Sequence, residues 1–287
     1  MKKLIVIFFL ISGISVFAQT DKIDSILNDL VYNDSDPLIM PEKPVRFDFL
    51  YAGAEYRNNT FYAGREIGSD MFNVTSNLFY YSSTGLFIGA SGSWYDQLTP
   101  GYSNTTVSAG FSKAIDKKKL FAFRTSYSRF IYYKPDTGSY YPYKNNFNLG
   151  LSFRKNWMGI RVASNLLFGE ESKINLSTTM YSRFNIIKLG KYNKIYTAPE
   201  VSAFFTTETV NTTKIDSQII DQTPTLKNVF GLLNTQLYVP LGLSTGSFDF
   251  EFSFSLNFPI TRDVNISYPI NKVYSISIGY LLPIVKR

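Results

Sequence analysis

The chain has 287 residues, a formal net charge of +7, and neither histidine nor cysteine. That excludes disulfide staples, thiolate metal ligands and cysteine nucleophiles, and it removes the side chain that most readily takes and returns a proton near neutral pH. Aromatics make up 17% of residues, 25 Phe and 21 Tyr among them, against a mean hydropathy of −0.06; this suits strands that alternate apolar and polar faces.

The chain opens with Lys2 and Lys3, an apolar run from Leu4 to Ile11, a softer stretch through Ser15, then Val16, Phe17 and Ala18 before Gln19. A basic start, a short apolar core and small or branched residues at the end form a secretory signal peptide over 1–18, with cleavage expected after Ala18. The run falls short of the roughly 20 residues a spanning helix needs. Its removal takes two lysines and leaves a mature charge of +5, with basic residues dispersed through the chain and no nucleic-acid footprint.

Residues 19–45 read as a periplasmic leader. A helical period shows briefly, with Ile23, Ile26, Leu27 and Leu30 on one face. The prolines of "DPLIMPEKP" then end it.

From 46 to 287 the period changes to two. Alternating stretches near 46–56, 70–82, 85–95, 103–114, 120–132, 145–154, 157–168, 173–187, 195–208, 227–239, 247–259 and 272–284 are separated by clusters of Gly, Asn, Asp, Pro, Ser or Lys. That predicts about twelve strands, with ten or fourteen as the neighbouring even counts, each of roughly the ten residues a tilted strand needs to cross a bilayer. In "SFDFEFSFSLNFPI", Phe248, Phe250, Phe252 and Phe254 share a face while Asp249, Glu251, Ser253 and Ser255 share the other. Phe147, Leu149, Leu151 and Phe153 likewise oppose Asn146, Asn148, Gly150 and Ser152. A soluble β-sandwich also alternates, but its polar face carries long charged side chains toward water. Here the polar face is mainly Ser, Thr, Asn and Gly, which suits an interior crowded by facing strands.

Connections alternate in length. "STG" at 83–85, "DKKK" at 116–119 and "RKNW" at 154–157 are short, whereas "RNNTFYAGREIGSD", "YKPDTGSYYPYK" and "NTTKIDSQIIDQTPTLKN" are long. Hydrocarbon offers no partner to an open strand edge, so a sheet that spans a membrane must close on itself. The reading is therefore an all-β chain, a single transmembrane antiparallel up-and-down β-barrel. Tyr80, Trp94, Tyr132, Trp157 and Tyr274, near strand ends, are expected in the interfacial girdles.

With signal peptide, alternating strands and one-sided long loops, the chain resembles a Gram-negative outer-membrane β-barrel, similar to families described by that architecture alone. The resemblance implies an outer-membrane location, contact with lipid and lipopolysaccharide, and delivery by the barrel assembly machinery. One departure is the ending "LLPIVKR", where such barrels commonly carry a terminal aromatic.

The barrel hydrolases, acyltransferases and proteases of such membranes use His beside Ser or Asp, so the chain is not expected to be an enzyme. No cofactor is implied; "GEES" at 169–172 is an acidic loop that could at most hold Ca²⁺ loosely. Two carboxylates can cleave glycosides, but Asp249 and Glu251 stand two apart on one strand and fit packing or ion traffic better. By parity Arg124, Arg154, Arg161 and Arg183 point inward from four consecutive strands, and Glu200, Asp249, Glu251 and Asp48 from the rest of the circle, all near the periplasmic end. These predict a charged constriction, and hence a channel or transporter for small polar solutes. The alternative is a barrel plugged by arginine–carboxylate pairs, acting as a structural or accessory protein for a periplasmic or outer-membrane partner.

Overall fold

The computed structural model describes residues 47–62, 65–66, 71–98, 101–133, 141–190, 193–211, 226–261 and 268–285. The signal peptide, the leader and most of the long connections lie outside the described residues. In chain order the strands are β1 (Phe47–Arg57), β2 (Phe61–Tyr62), β3 (Arg65–Glu66), β4 (Asn73–Tyr81), β5 (Leu86–Tyr95) and β6 (Tyr102–Ala114). There follow β7 (Phe121–Tyr132), β8 (Tyr143–Lys155), β9 (Met158–Gly169), β10 (Ser172–Ser182), β11 (Phe184–Leu189) and β12 (Asn193–Thr197). The last are β13 (Glu200–Asn211), β14 (Leu226–Thr245), β15 (Phe248–Pro259) and β16 (Asn271–Val285).

Twelve of these close into an antiparallel barrel, β1-β4-β5-β6-β7-β8-β9-β10-β13-β14-β15-β16, with β1 returning to β16 from Phe47↔Val285 to Arg57↔Ser275. Closure gives each backbone ladder two neighbours and satisfies within the sheet what hydrocarbon cannot. β2 and β3 form a small ribbon in the β1–β4 connection. β11 and β12 continue the lines of β10 and β13 as a hairpin on the long end of β14.

Short turns at 82–85, 115–120, 156–157 and 246–247 gather at one end with both ends of the described barrel. Two of them are two-residue hairpins, in which Asn156 and Gly246 take left-handed φ of 56° and 58°, as the twist of the flanking strands demands. One connection at the opposite rim is also short: Glu170 and Glu171 join β9 to β10 there, and Glu170 is paired with Lys144 at 2.7 Å.

The period-two reading holds strand after strand. Leu149, Leu151, Ile174, Met180, Phe250, Phe252, Ile276 and Ile278 are exposed on the outside, while Asn148, Ser152, Asn175, Thr179, Ser253, Ser255, Ser275 and Ser277 are buried inside. From Phe248 to Phe258 along β15, a rise of roughly 3.3 Å per residue and the tilt of a barrel strand give an apolar belt of about 25 Å, the height of a bilayer core. Aromatic pairs fringe it: Tyr56–Phe72 (5.5 Å) and Tyr102–Tyr133 (4.9 Å) at one end, Phe121–Phe153 (4.9 Å) and Trp157–Phe184 (5.2 Å) at the other.

Two placements correct the sequence reading. Tyr132 is not in a girdle: even positions of β7 face inward, and its ring packs on Phe130 and Leu167 and stacks on Tyr141 at 4.2 Å. Asp48 does not face the lumen: Leu50, Ala52 and Ala54 of β1 are the outward set, and Asp48 shares their parity. Its buried carboxylate accepts hydrogen bonds from the Tyr80 hydroxyl and from Ser83 N at 2.9 Å, capping the β4–β5 turn. The cause is an apolar wall inside the barrel. Tyr51, Phe79, Tyr81 and Phe87 cluster there with Phe49 and Leu281, so the aromatic face of β1 is the inner one.

Candidate functional site

Polar side chains line the lumen in two zones. In the half nearer the long loops, amides stand on adjacent strands: Asn148 faces Asn165, which faces Asn175, and Asn257 faces Asn271. Asn165 Oδ1 accepts from Asn148 Nδ2 at 2.9 Å and Asn146 Nδ2 at 3.3 Å, and Asn257 Oδ1 from Asn234 Nδ2 at 3.1 Å and Gln236 Nε2 at 3.2 Å. Amides on every second position of a strand supply both donor and acceptor to such a row.

The half nearer the short turns carries charge. Arg161 on β9 donates to Glu200 Oε2 on β13 at 3.3 Å, across the one intervening strand, and its guanidinium lies 5.7 Å from the centre of the Tyr181 ring. Arg124 on β7 sits 5.2 Å from the Phe87 ring, against the inner aromatic wall. Arg183, in the break between β10 and β11, lies 4.4 Å from the Tyr196 ring. The Tyr196 hydroxyl in turn donates to Asp249 Oδ2 at 2.8 Å, with Glu251 Oε2 at 3.4 Å, while Tyr238 donates to Glu251 Oε1 at 2.6 Å. Bonds from a phenol to a carboxylate are charge-assisted and short, and a guanidinium over a ring is held by the ring quadrupole.

Glycines make these seats. Tyr196 lies directly across from Gly242 and Tyr181 from Gly159, and a Cβ on either glycine would fall inside the tyrosine ring. An aromatic ring lying over a cross-strand glycine pins the pair's register.

Of the expected residues, Arg124, Arg161, Arg183, Glu200, Asp249 and Glu251 are brought together on the inner wall. Arg154 keeps inward parity but sits nearer the rim, its Nε donating to Asn156 O of its own turn at 3.3 Å. Asp48 is outside. Sequence reasoning missed Glu55, buried on the inner face of β1 and bonded by Arg57 at 3.1 Å, and the three tyrosines 181, 196 and 238. Correct parity on β1 would have found the first. An inward Tyr opposite a Gly is the signal for Tyr181 and Tyr196.

A small recess opens between Arg124 and Arg161, lined also by Ser112, Asn148, Gly150 and Ser152. Among the described residues no three acids converge as a metal site would require.

No family model matches the chain and no curated protein resembles it in sequence. Solved structures do. The KdgM porin aligns with TM-score 0.44 and 10% identity over 82% of this chain and 98% of its own. An outer-membrane channel from Pseudomonas putida F1 aligns with TM-score 0.48 and 10% identity over 86% and 99%. The translocator domain of the autotransporter NalP from Neisseria meningitidis aligns with TM-score 0.41 and 10% identity over 94% and 98%. A closed sheet that is apolar outside for the height of a bilayer and polar within has one solvent it can occupy, and the chain is accordingly an outer-membrane β-barrel.

Proposed function

We propose that the barrel is a channel for small polar solutes, with a charged constriction in the half nearer the short turns. One observation carries this reading: the contacts of its charges described above run along the wall. Arg124, Arg161 and Arg183 hold the β7–β11 side, while Glu200, Asp249 and Glu251 hold the β13–β15 side, each steadied by an aromatic ring or a neighbouring strand. Charges of opposite sign held on adjoining arcs of the inner wall set up a field along that side of the lumen that orients a passing dipole. The absence of His and Cys supports a role without catalysis. Export by the 1–18 signal peptide, insertion by the assembly machinery and contact with lipopolysaccharide belong to the same reading.

The test is single-channel recording of the purified barrel in planar bilayers, with Arg161→Met beside the native chain. A unit charge about 8 Å from a permeating ion, at an effective dielectric of about 20, is worth roughly 2 kcal/mol. A screening length of about 10 Å at 0.1 M salt roughly halves that. Removing Arg161 lowers the barrier for a cation and raises it for an anion by that amount, and is therefore expected to raise the cation-to-anion permeability ratio about twentyfold. Steps with an unmoved reversal potential would refute the constriction, and a silent bilayer would refute the channel.

A closed accessory barrel is the second reading. It is favoured by the burial of the amide rows, in which Asn148, Asn175, Asn234 and Asn257 are at most 2% exposed, and the silent bilayer is its signature.

A further inference from the structure

The recess between Arg124 and Arg161 has an open floor. The two arginines flank β8 from β7 and β9: Arg124 stands opposite Gly150, and Arg161 opposite Ser152, two residues along the same strand. Adjacent strands are about 4.8 Å apart, so β7 and β9 lie about 10 Å from one another. Two long side chains that reach inward across such a gap can close on a small group between them. The wall there is made of Ala122, Gly150, Ser152 and Ala163. Gly150 differs from the glycines beneath the tyrosines. A Cβ on it would meet nothing nearer than Arg124 Cβ and Val162 O at 3.9 Å, so the space above it is free.

Polar atoms of both kinds line this space. Arg161 is 9% exposed; Glu200 accepts from its Nη2, while its Nη1 is buried with no hydrogen-bond partner among the described residues. Asn148 donates Nδ2 to Asn165, and its Oδ1 is likewise buried without a partner among them. A buried donor or acceptor left unmet is costly, most of all on a charged group. Two cations line the recess and no acid does. Chloride or sulfate would answer the charge but has no proton to offer Asn148. Water would meet both atoms and bring no charge. An oxyanion that keeps a hydroxyl does all three: its charged oxygens accept from guanidinium groups, and its O–H donates to an amide oxygen.

We propose that the recess is a binding subsite for a small hydroxyl-bearing oxyanion of the hydrogen phosphate class. Arg161 Nη1 and the Arg124 guanidinium hold its charged oxygens, and Asn148 Oδ1 accepts its O–H. The proposal deepens the channel reading by naming the solute class, and rests on that reading for the route by which the anion arrives.

The test is calorimetric titration of the full mature barrel, folded into lipid nanodiscs, with inorganic phosphate and with sulfate. At about pH 8 and constant ionic strength both are dianions, and only phosphate keeps a hydroxyl. Phosphate is expected to bind at least tenfold more tightly than sulfate. Gly150→Val fills the open floor and leaves both arginines in place; it should weaken phosphate at least tenfold, as should Arg161→Met. Asn148→Ala should narrow the preference for phosphate over sulfate to less than threefold. Heat-modifiable gel mobility confirms that each variant is folded. Sulfate bound as tightly as phosphate would overturn the proposal, and so would phosphate binding that survives Gly150→Val. Because the titration needs no current, a silent bilayer would end the channel reading without touching this result. Conducting steps from a barrel that binds no phosphate would end the subsite alone.

Discussion

Gly242→Val tests whether the charged wall is held by the seat beneath Tyr196. The ring occupies the space above Gly242, so a valine there expels it. Expulsion removes the Tyr196–Asp249 bond at 2.8 Å, worth about 2 kcal/mol for a charged acceptor, and the Arg183–ring contact at 4.4 Å, worth about 1 kcal/mol. Crowding adds about 1 to 3 kcal/mol. The expected loss is about 5 kcal/mol. Tyr196→Leu forfeits the bond and the ring contact without crowding and should cost about 3 kcal/mol. In the double variant valine lies beside a smaller side chain and the lost contacts are counted once, so its cost should match that of Tyr196→Leu within about 1 kcal/mol. Equilibrium urea unfolding in lipid, followed through Trp94 and Trp157, measures all three. Additive costs near 8 kcal/mol in the double variant, or a Gly242→Val chain as stable as the native one, would refute the seat.

Asn165→Ala deprives both Asn146 and Asn148 of their shared acceptor and is expected to cost about 2 to 3 kcal/mol in the same unfolding assay; a loss under 0.5 kcal/mol would mean the row is slack. Asp48→Ala removes the cap on Ser83 N and the Tyr80 bond and should cost about 2 kcal/mol. Reversal potential should not move, because Asp48 lies outside the lumen; a shift would return it to the charged wall. In the β6–β7 turn, the Phe121 N–H donated to Asp116 holds that carboxyl below its ordinary pKa of 3.8. A depressed carboxyl stabilises the fold above its unfolded pKa and loses that contribution as pH falls through the folded one. Carboxyl-carbon NMR should place the Asp116 titration below 3.8, and a midpoint at or above it would remove the turn from the acid-labile groups.

The barrel was legible because lipid imposes a strict period of two and hydrocarbon forbids an edge. β15 shows this plainly: every second residue from Phe248 to Phe252 is outside and Ser253, Ser255 and Asn257 are inside. The inside was less legible, since parity assumes that aromatic means lipid. On β1, Phe49 and Tyr51 break that assumption by packing against Phe79, Tyr81 and Phe87 within the lumen, and the error moved Asp48 in and left Glu55 out. The hairpin was hidden for another reason. β10 and β11 read as one alternating run, and nothing in the alternation says where a strand loses its neighbour.

The inner wall makes its own electrostatic argument. An arginine in a narrow lumen is costly unless its charge is met, and the cheapest partner is a carboxylate across the lumen, which would plug it. Here rings take part of that role. Arg124 lies on Phe87, Arg183 on Tyr196 and Arg161 on Tyr181, while the hydroxyls of Tyr196 and Tyr238 hold the acids. A tyrosine accepts a cation on its face and donates to an anion at its tip, so Tyr196 steadies both signs at once. Two glycines give the tyrosines that carry arginines room to lie flat, and the price is backbone that tolerates no side chain at positions 159 and 242. The two arcs meet where they adjoin, Arg161 with Glu200 at 3.3 Å and Arg183 with Asp249 through the ring and hydroxyl of Tyr196, so the seats at 159 and 242 hold the seam between the basic and the acidic strands.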